Sequence, residues 1–369
     1  MIPSIPENLP PLPGFQIGTW LKGDWHMHCR HSTDSSNNPQ SRIISFAERL
    51  GFDYLAITDH DVHVQGAVAE NTWADPEFRS DSVLLFYGAE LTAPRGHVNI
   101  LSPEPYDHQA IFDARNARDW DLLKLKTDMD IHWSANHPHH KNHYGFSFDL
   151  ADSVEIWNTS IWPKNIPSLR IWDDQLLSGR MIGARGGSDS HHGMPEDPAD
   201  IVPLTREASA NYVGTPTTWI FATARTKPTI LQALEQGRAS VSSNPYNPRV
   251  ELYASTRADG QFDMMMGDNA HAPGTPVTFE IRLVGGGIPG ANYQVRVIKN
   301  REEFTTLITD AATRSARFTD TPAANDRSYY RVEIEGPQAP YPEVPNSMAQ
   351  SQNMVALSNP IYFNYDPNF

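Results

Sequence analysis

The sequence predicts an α/β fold, a parallel sheet either open or closed into a barrel, followed by a small antiparallel β-sandwich. Three observations lead there. Seven short apolar runs (23–28, 54–58, 83–90, 97–101, 131–136, 153–157 and 181–185) alternate with helical patterns or long loops. The chemically loaded polar residues fall at or just beyond the ends of those runs, where α/β sheets and barrels carry their sites. Past residue 246 the pattern changes to period-two alternation broken by Gly- and Asp-rich turns.

The elements follow in order. Residues 1–22 are Pro-rich and read as a surface arm. The run 23–28 holds Asp24, His26 and His28, and a polar stretch continues to residue 40. From Ser41 to Leu50, the residues Ile43, Ile44, Phe46, Ala47 and Leu50 recur at helical spacing, with Gly51 placed to end the helix. Tyr54, Leu55, Ala56 and Ile57 form a compact apolar run of the buried parallel type. Further helices are predicted over 117–128, 168–178 and 228–236, and further strands over 216–221 and 239–243. The sandwich strands are predicted at 278–284, 293–299, 316–319 and 329–335. The predicted layout is an arm over 1–22, an α/β domain over 23–245 and a β-sandwich over 246–369.

Composition narrows the function. A chain of 369 residues suits two domains and buries a large core without disulfides. Its single cysteine, Cys29, excludes an internal disulfide and a Cys-based zinc knuckle. The net charge of -15, with no basic run, argues against nucleic acid as a nonspecific partner. No run of about 18 apolar residues predicts a membrane helix, and the start of the chain lacks the pattern of a secretory signal. The expectation is a cytoplasmic protein, or the mature part of a longer precursor. Oligomeric state is left open.

Histidine carries the main signal. Of fifteen, fourteen lie at or before His192, and only His271 lies beyond. His26 and His28 are two apart on extended backbone, so both rings face one side. Asp34 sits in the polar loop that follows, with His31 as a rival. His60 ends an apolar run between Asp59 and Asp61. Glu90 closes another apolar run, where a carboxylate needs a partner. His97 opens the next run, His137 follows 131–136, and Asp189 and His191 follow 181–185. These nine N and O donors suit two or three divalent ions of the Zn, Mn or Fe type, because imidazole dominates. Asp59, Asp61 and Asn158 are placed to orient ligands or substrate, and Arg95 and Arg185 to meet a substrate anion. His139, His140 and His143 form a loop beside the same end, while His63, His132 and His192 are read as structural.

At this point the residues resemble a known family. Asp24, His26 and His28, then Asp34, then Asp59, His60 and Asp61, then Gly88 and Glu90, Gly96, His97 and Asn99, Asn136, His137 and Pro138, and finally Gly187, Asp189 and His191 are similar to the motifs of the PHP (polymerase and histidinol phosphatase) domain. The resemblance covers 23–243. It implies a distorted (β/α)7 TIM-like barrel with a trinuclear metal cleft. It implies one ion on His26, His28, Glu90 and Asp189, a second on Glu90, His97 and His137, and a third on Asp34, His60 and His191. A metal-bound water would be held by Glu90, Asp189 and His191. The loop carrying Asp34 is one residue longer than a common family spacing. Gly96 to Asn99, the helix and strand over 228–243 and the C-terminal Leu357 to Tyr362 resemble the branch with a C-terminal β domain, which includes carbaryl-type carbamate hydrolases.

The resulting expectation is a metal-dependent hydrolase acting on a small, anionic substrate, with phosphoesters favoured. The alternative is attack on the carbonyl of a carbamate, ester or amide, with Trp73, Trp133, Trp157, Trp162 and Phe146 lining an apolar pocket. A third reading, a metal-bound binding module with the β domain as its working part, leaves the full donor set without a purpose.

Overall fold

A computed structural model describes residues 17–35, 38–139, 144–191, 212–342 and 353–368. Most of the predicted arm, together with His140, His143 and His192, lies outside the described residues. No helix among the described residues is long and apolar enough to cross a membrane.

The first part is mixed α/β. β1 (Thr19–Asp24), β2 (Tyr54–Ile57) and β3 (Leu84–Ala93) lie side by side in parallel. β4 (Gly96–Ser102) runs antiparallel to β3 and to β5 (His132–Ala135). β5, β6 (Ser153–Asn158) and β7 (Gly183–Gly187) are again parallel. The reversal at β4 corrects the expectation of an unbroken parallel set. Its cause is local. Only Pro94 and Arg95 separate the paired residues Ala93 and Gly96, and Gly96 has φ +128°, which a side chain rarely tolerates. A link that short makes a hairpin, not a crossover.

β7 does not pair with β1 along either strand. Past both strand ends, Met27 and Ser190 form an isolated parallel bridge. The Asp189 N–H donates to His26 O, and the His28 N–H donates to Ser190 O, each at 2.8 Å.

The helices pack on these strands by their apolar faces. α1 (Gln40–Arg49) buries Ile43, Ile44, Phe46 and Ala47 against Leu55 and Ile57. α2 (His108–Ala114), which the sequence reading did not foresee, and α3 (Asp119–Met129) place Ile111 and Leu122 beside Ile100 and Trp133. α4 (Ile166–Ser178) sets Leu169, Trp172 and Leu176 on Val154 and Ile156 of β6. Trp172 is wholly buried and its indole N–H is bonded to Ile182 O. Its truncation to alanine should cost about 3–5 kcal/mol.

The sheet continues beyond β1. β8 (Thr217–Ala222) pairs antiparallel with β1 from Thr19 onward, which is why β1 starts four residues before the predicted 23–28 and stops at Asp24. β9 (Ala239–Ser242) follows β8, after α5 (Lys227–Glu235).

The remaining strands are β10 (Arg249–Ser255), β11 (Met264–Met265), β12 (Asn269–Ala270), β13 (Val277–Val284), β14 (Gln294–Lys299), β15 (Glu302–Ile308), β16 (Ser315–Asp320), β17 (Ser328–Glu335), β18 (Met354–Ser358) and β19 (Ile361–Phe363). β10, β11, β13 and β16 form a separate four-stranded sheet. β18 pairs with β9, so the first sheet runs on through β18 into β17, β14 and β19. Val250, Leu252, Phe279 and Ile281 of one sheet share a core with Val295, Val297, Val332 and Phe363 of the other.

Candidate metal centre

The chain gathers the predicted donors at one end of the strands. His26 and His28 lie just past β1 and His60 past β2, Glu90 is within β3, His137 is past β5, and Asp189 and His191 are past β7. His97 opens β4. Because β4 is antiparallel, its beginning lies at the same end where its neighbours finish.

Glu90 is the hub. It is wholly buried, and imidazole nitrogens surround its carboxylate. Oε1 lies 3.4 Å from His26 Nε2, 3.2 Å from His97 Nδ1 and 3.3 Å from His137 Nε2. Oε2 lies 2.9 Å from His60 Nδ1 and 3.4 Å from His28 Nε2. Asp189 Oδ1 sits 3.0 Å from His28 Nε2 and 3.4 Å from His26 Nε2. One donor atom each from His26, His28, Glu90 and Asp189 falls within 4.8 Å of the others, and the same holds for His60, Glu90 and His97, and for His28, His60 and His191. Asp34 closes the last group from the outside, with Oδ2 3.4 Å from His191 Nε2 and 3.6 Å from His60 Nε2. His31 turns elsewhere, to Asp75 Oδ2 at 2.7 Å.

Three of the gathered atoms are buried without a hydrogen-bond partner: His26 Nε2, Glu90 Oε2 and His97 Nδ1. Isolated, each is a desolvated polar atom costing about 1–3 kcal/mol. Together with the mixed imidazole and carboxylate set, they fit divalent cations of the Zn, Mn or Fe type.

The electrostatics agree. Burial alone would raise the Glu90 carboxyl, but His60, His26 and His97 hold it well below the usual range. Asp189 is likewise held low against burial by His26 and His28. Burial lowers His26, yet Glu155, Asp189 and Glu90 together keep it well above its ordinary value. Burial and the adjacent His191 and His60 rings push His28 down to about 4. Against burial, Asp34 and Asp189 push His191 up to about 9.

A rigid frame fixes these side chains. Asp24 accepts backbone N–H bonds from His26, Ser188 and Gly214, tying the end of β1 to the loop after β7. Asp59 accepts from the Cys29 N–H and thiol and from Thr72 Oγ1, so it anchors the segment that carries His28. Asp61 accepts from the Thr92 N–H and lies 3.1 Å from His108 Nε2. Asn158 Nδ2 donates to Asp189 Oδ2, leaving Oδ1 on the histidine side. Two of the predicted ligands adopt left-handed backbone, His137 at φ +26° and Asp189 at φ +51°, a strain of order 1–3 kcal/mol each that the surrounding bonds hold in place.

Glu155, which sequence reasoning passed over, belongs to this frame. Its Oε1 lies 2.9 Å from His26 Nδ1, and its Oε2 accepts the His137 N–H at 3.0 Å. A carboxylate inside the otherwise apolar run 153–157 was the available signal. Asn136 Nδ2 also donates to Glu90 Oε1 at 2.8 Å and to Asn99 Oδ1.

Both predicted anion contacts lie against carboxylates of the chain itself. Arg185 is wholly buried, and its guanidinium donates to Ser134 Oγ, Glu155 Oε1 and Asn136 Oδ1. Arg95 donates to the carbonyls of Ala117 and Gly145, pairs with Asp119 and lies over the Phe146 ring. In each case a neighbouring carboxylate claims the charge that a substrate would need. His132, read as structural, bonds through both nitrogens, to Glu235 and Ser153.

No family model matches the sequence, and no curated protein matches it. Among solved structures, the crystal structure of a two-domain protein containing a predicted PHP-like metal-dependent phosphoesterase, from Bacteroides vulgatus ATCC 8482, is similar at 15% identity. The alignment covers 97% of this chain and 98% of that one, with a TM-score of 0.43.

Proposed function

We propose that this chain is a metal-dependent hydrolase of the PHP type, and that it cleaves phosphoesters. The observation that carries the reading is the buried Glu90 carboxylate ringed by imidazoles, with Asp189 alongside and His26 Nε2, Glu90 Oε2 and His97 Nδ1 lacking a hydrogen-bond partner. The isolated bridge between Met27 and Ser190 supports the finer reading of the seven strands as a distorted (β/α)7 barrel with this site at one mouth.

His26, His28, Glu90 and Asp189 would hold one divalent ion, Glu90, His97 and His137 a second, and Asp34, His60 and His191 a third. Bound there, such ions lower the pKa of water toward neutrality and neutralise charge on the scissile group's oxygens. The chain's own residues prepare the place. Glu155 fixes the ring of His26, and Asn158 directs Asp189. The Glu90 carboxylate draws the histidines into one cleft, and the acidic chain would tolerate an anionic substrate where cations reverse the local potential.

The placing of the aromatics favours phosphorus over carbonyl chemistry. Trp133, Trp157 and Phe146 are buried in the hydrophobic cores, Trp73 bonds Gly88 O, and Trp162 packs on Trp157. A carbonyl hydrolase would want those rings around its substrate.

The test is turnover. Protein reconstituted with Mn or Zn should cleave a phosphate mono- or diester and leave aryl carbamates intact. Full metal occupancy with no phosphoester turnover would overturn the proposal, and carbamate cleavage alone would transfer it to carbonyl chemistry.

A further inference from the structure

One cavity borders the metal cluster without sharing its donors. It measures about 570 Å³ and lies between the residues after β5, the α4 helix and the turn from β14 to β15. On the cluster side it begins at His139, whose ring centroid is 5.9 Å from that of His137. Tyr144, Phe148, Pro167 and Ile171 give it apolar walls. The Tyr144 hydroxyl is already committed, accepting from Trp133 Nε1 at 3.1 Å and donating to Ser147 O at 3.3 Å. Tyr144 therefore offers its ring and not its hydroxyl.

The charges on the wall are unequal. Asp174 is matched by Arg301, Nη1 to Oδ1 at 2.7 Å, and that bond links α4 to the β14–β15 turn. Arg170 also lines the cavity and has no carboxylate partner among the described residues. An open cavity with apolar walls and one exposed, unmatched guanidinium suits an aromatic ring that bears an acidic group, since a planar guanidinium meets a carboxylate in two parallel bonds.

We propose that this cavity receives the leaving group of the ester, and that the leaving group is an aryl alcohol with an acidic substituent. The inference rests on the phosphoesterase reading. In the reaction, water supplies the oxygen that bonds phosphorus, the phosphorus–aryl oxygen bond breaks, and the departing aryl oxide takes up a proton from that water.

The experiment compares 4-carboxyphenyl, phenyl and methyl phosphate on the metal-reconstituted protein, and the binding of phenylphosphonate against methylphosphonate by calorimetry. Phe148→Ala should lower the phenyl-to-methyl ratio of kcat/KM roughly tenfold, and the phosphonate affinity ratio alongside it, the scale set by an apolar pocket contact. Arg170→Gln should lower the carboxyphenyl-to-phenyl ratio by about tenfold. Ratios that stay fixed in both variants, while methyl phosphate is still turned over, overturn the pocket and spare the phosphoesterase reading. No turnover of any ester overturns both.

Discussion

Glu155 Oε1 lies 2.9 Å from Nδ1 of His26, with both side chains wholly buried, and the same oxygen accepts a bond from Arg185 Nη1 at 2.9 Å. The carboxylate thus fixes which face of the imidazole points to Glu90 and Asp189, as carboxylates behind metal-binding histidines commonly do.

Removing that charge should be felt in two ways. Glu155→Gln is expected to weaken metal binding about 10–100-fold. It also leaves Arg185 buried without a counter-charge, at a cost on the order of 3–5 kcal/mol. Metal titration followed by dye, together with a chemical denaturation curve, checks both. Unchanged metal affinity in a folded variant would remove Glu155 from the centre.

Glu90→Gln should be harsher on the metal. Glu90 is the carboxylate common to two of the donor groups, so one substitution reaches both. Affinity is expected to fall by more than about a hundredfold, exceeding the loss of an outer partner. Elemental analysis after dialysis reads it directly, and a variant that keeps the full complement of ions contradicts the hub role.

Proton release should accompany metal loading. His191 is pushed up to about 9, so in chelator-stripped protein at pH 7 it carries a proton that a cation must displace. His28, pushed down to about 4, is already neutral and releases none. Metal affinity should therefore rise with pH until about 9. The sign for stability is opposite. A histidine raised on folding stabilises the stripped protein fully below its unfolded value, near 6.5, and that contribution is lost as pH climbs through about 9. Zinc titrations in buffers of different ionisation enthalpy count the protons. Asp34→Asn should reduce the count, because Asp34 is the leading cause of the rise. A count of zero at pH 7 in the wild type defeats this assignment.

How much of this was legible in the sequence depends on the range of each signal. The donors stood out because each sits beside a short apolar run, a local pattern. His97 did not fit, since a residue that opens a parallel strand belongs at the far end of the sheet. Only the hairpin across Pro94 and Arg95 brings it back, by reversing β4 against β3. The surroundings of Glu155 and Arg185 were not legible for a related reason. Their partners are 129 and 49 residues away in sequence, at His26 and Asn136, so no spacing rule reaches them. Asp34 was legible only as an acid in the polar loop after His28, and the fold sets it near His60 and His191 at 3.4–3.6 Å, half exposed and less enclosed than the other donors. In the C-terminal part, alternation revealed strands but hid the continuation of the first sheet through β9 and β18, because pairing partners are not written in period-two patterns.

Glu90, Asp189 and the surrounding histidines are proposed to form a hydrolytic metal centre. This is tested most directly by turnover of a phosphoester with protein of known metal content, before and after chelation and in Asp189→Ala. The expected result is two or three ions per chain, activity that disappears with the metal and returns on reconstitution, and a folded Asp189→Ala variant without activity. Full occupancy with no turnover, or turnover that survives complete removal of the metal, contradicts it.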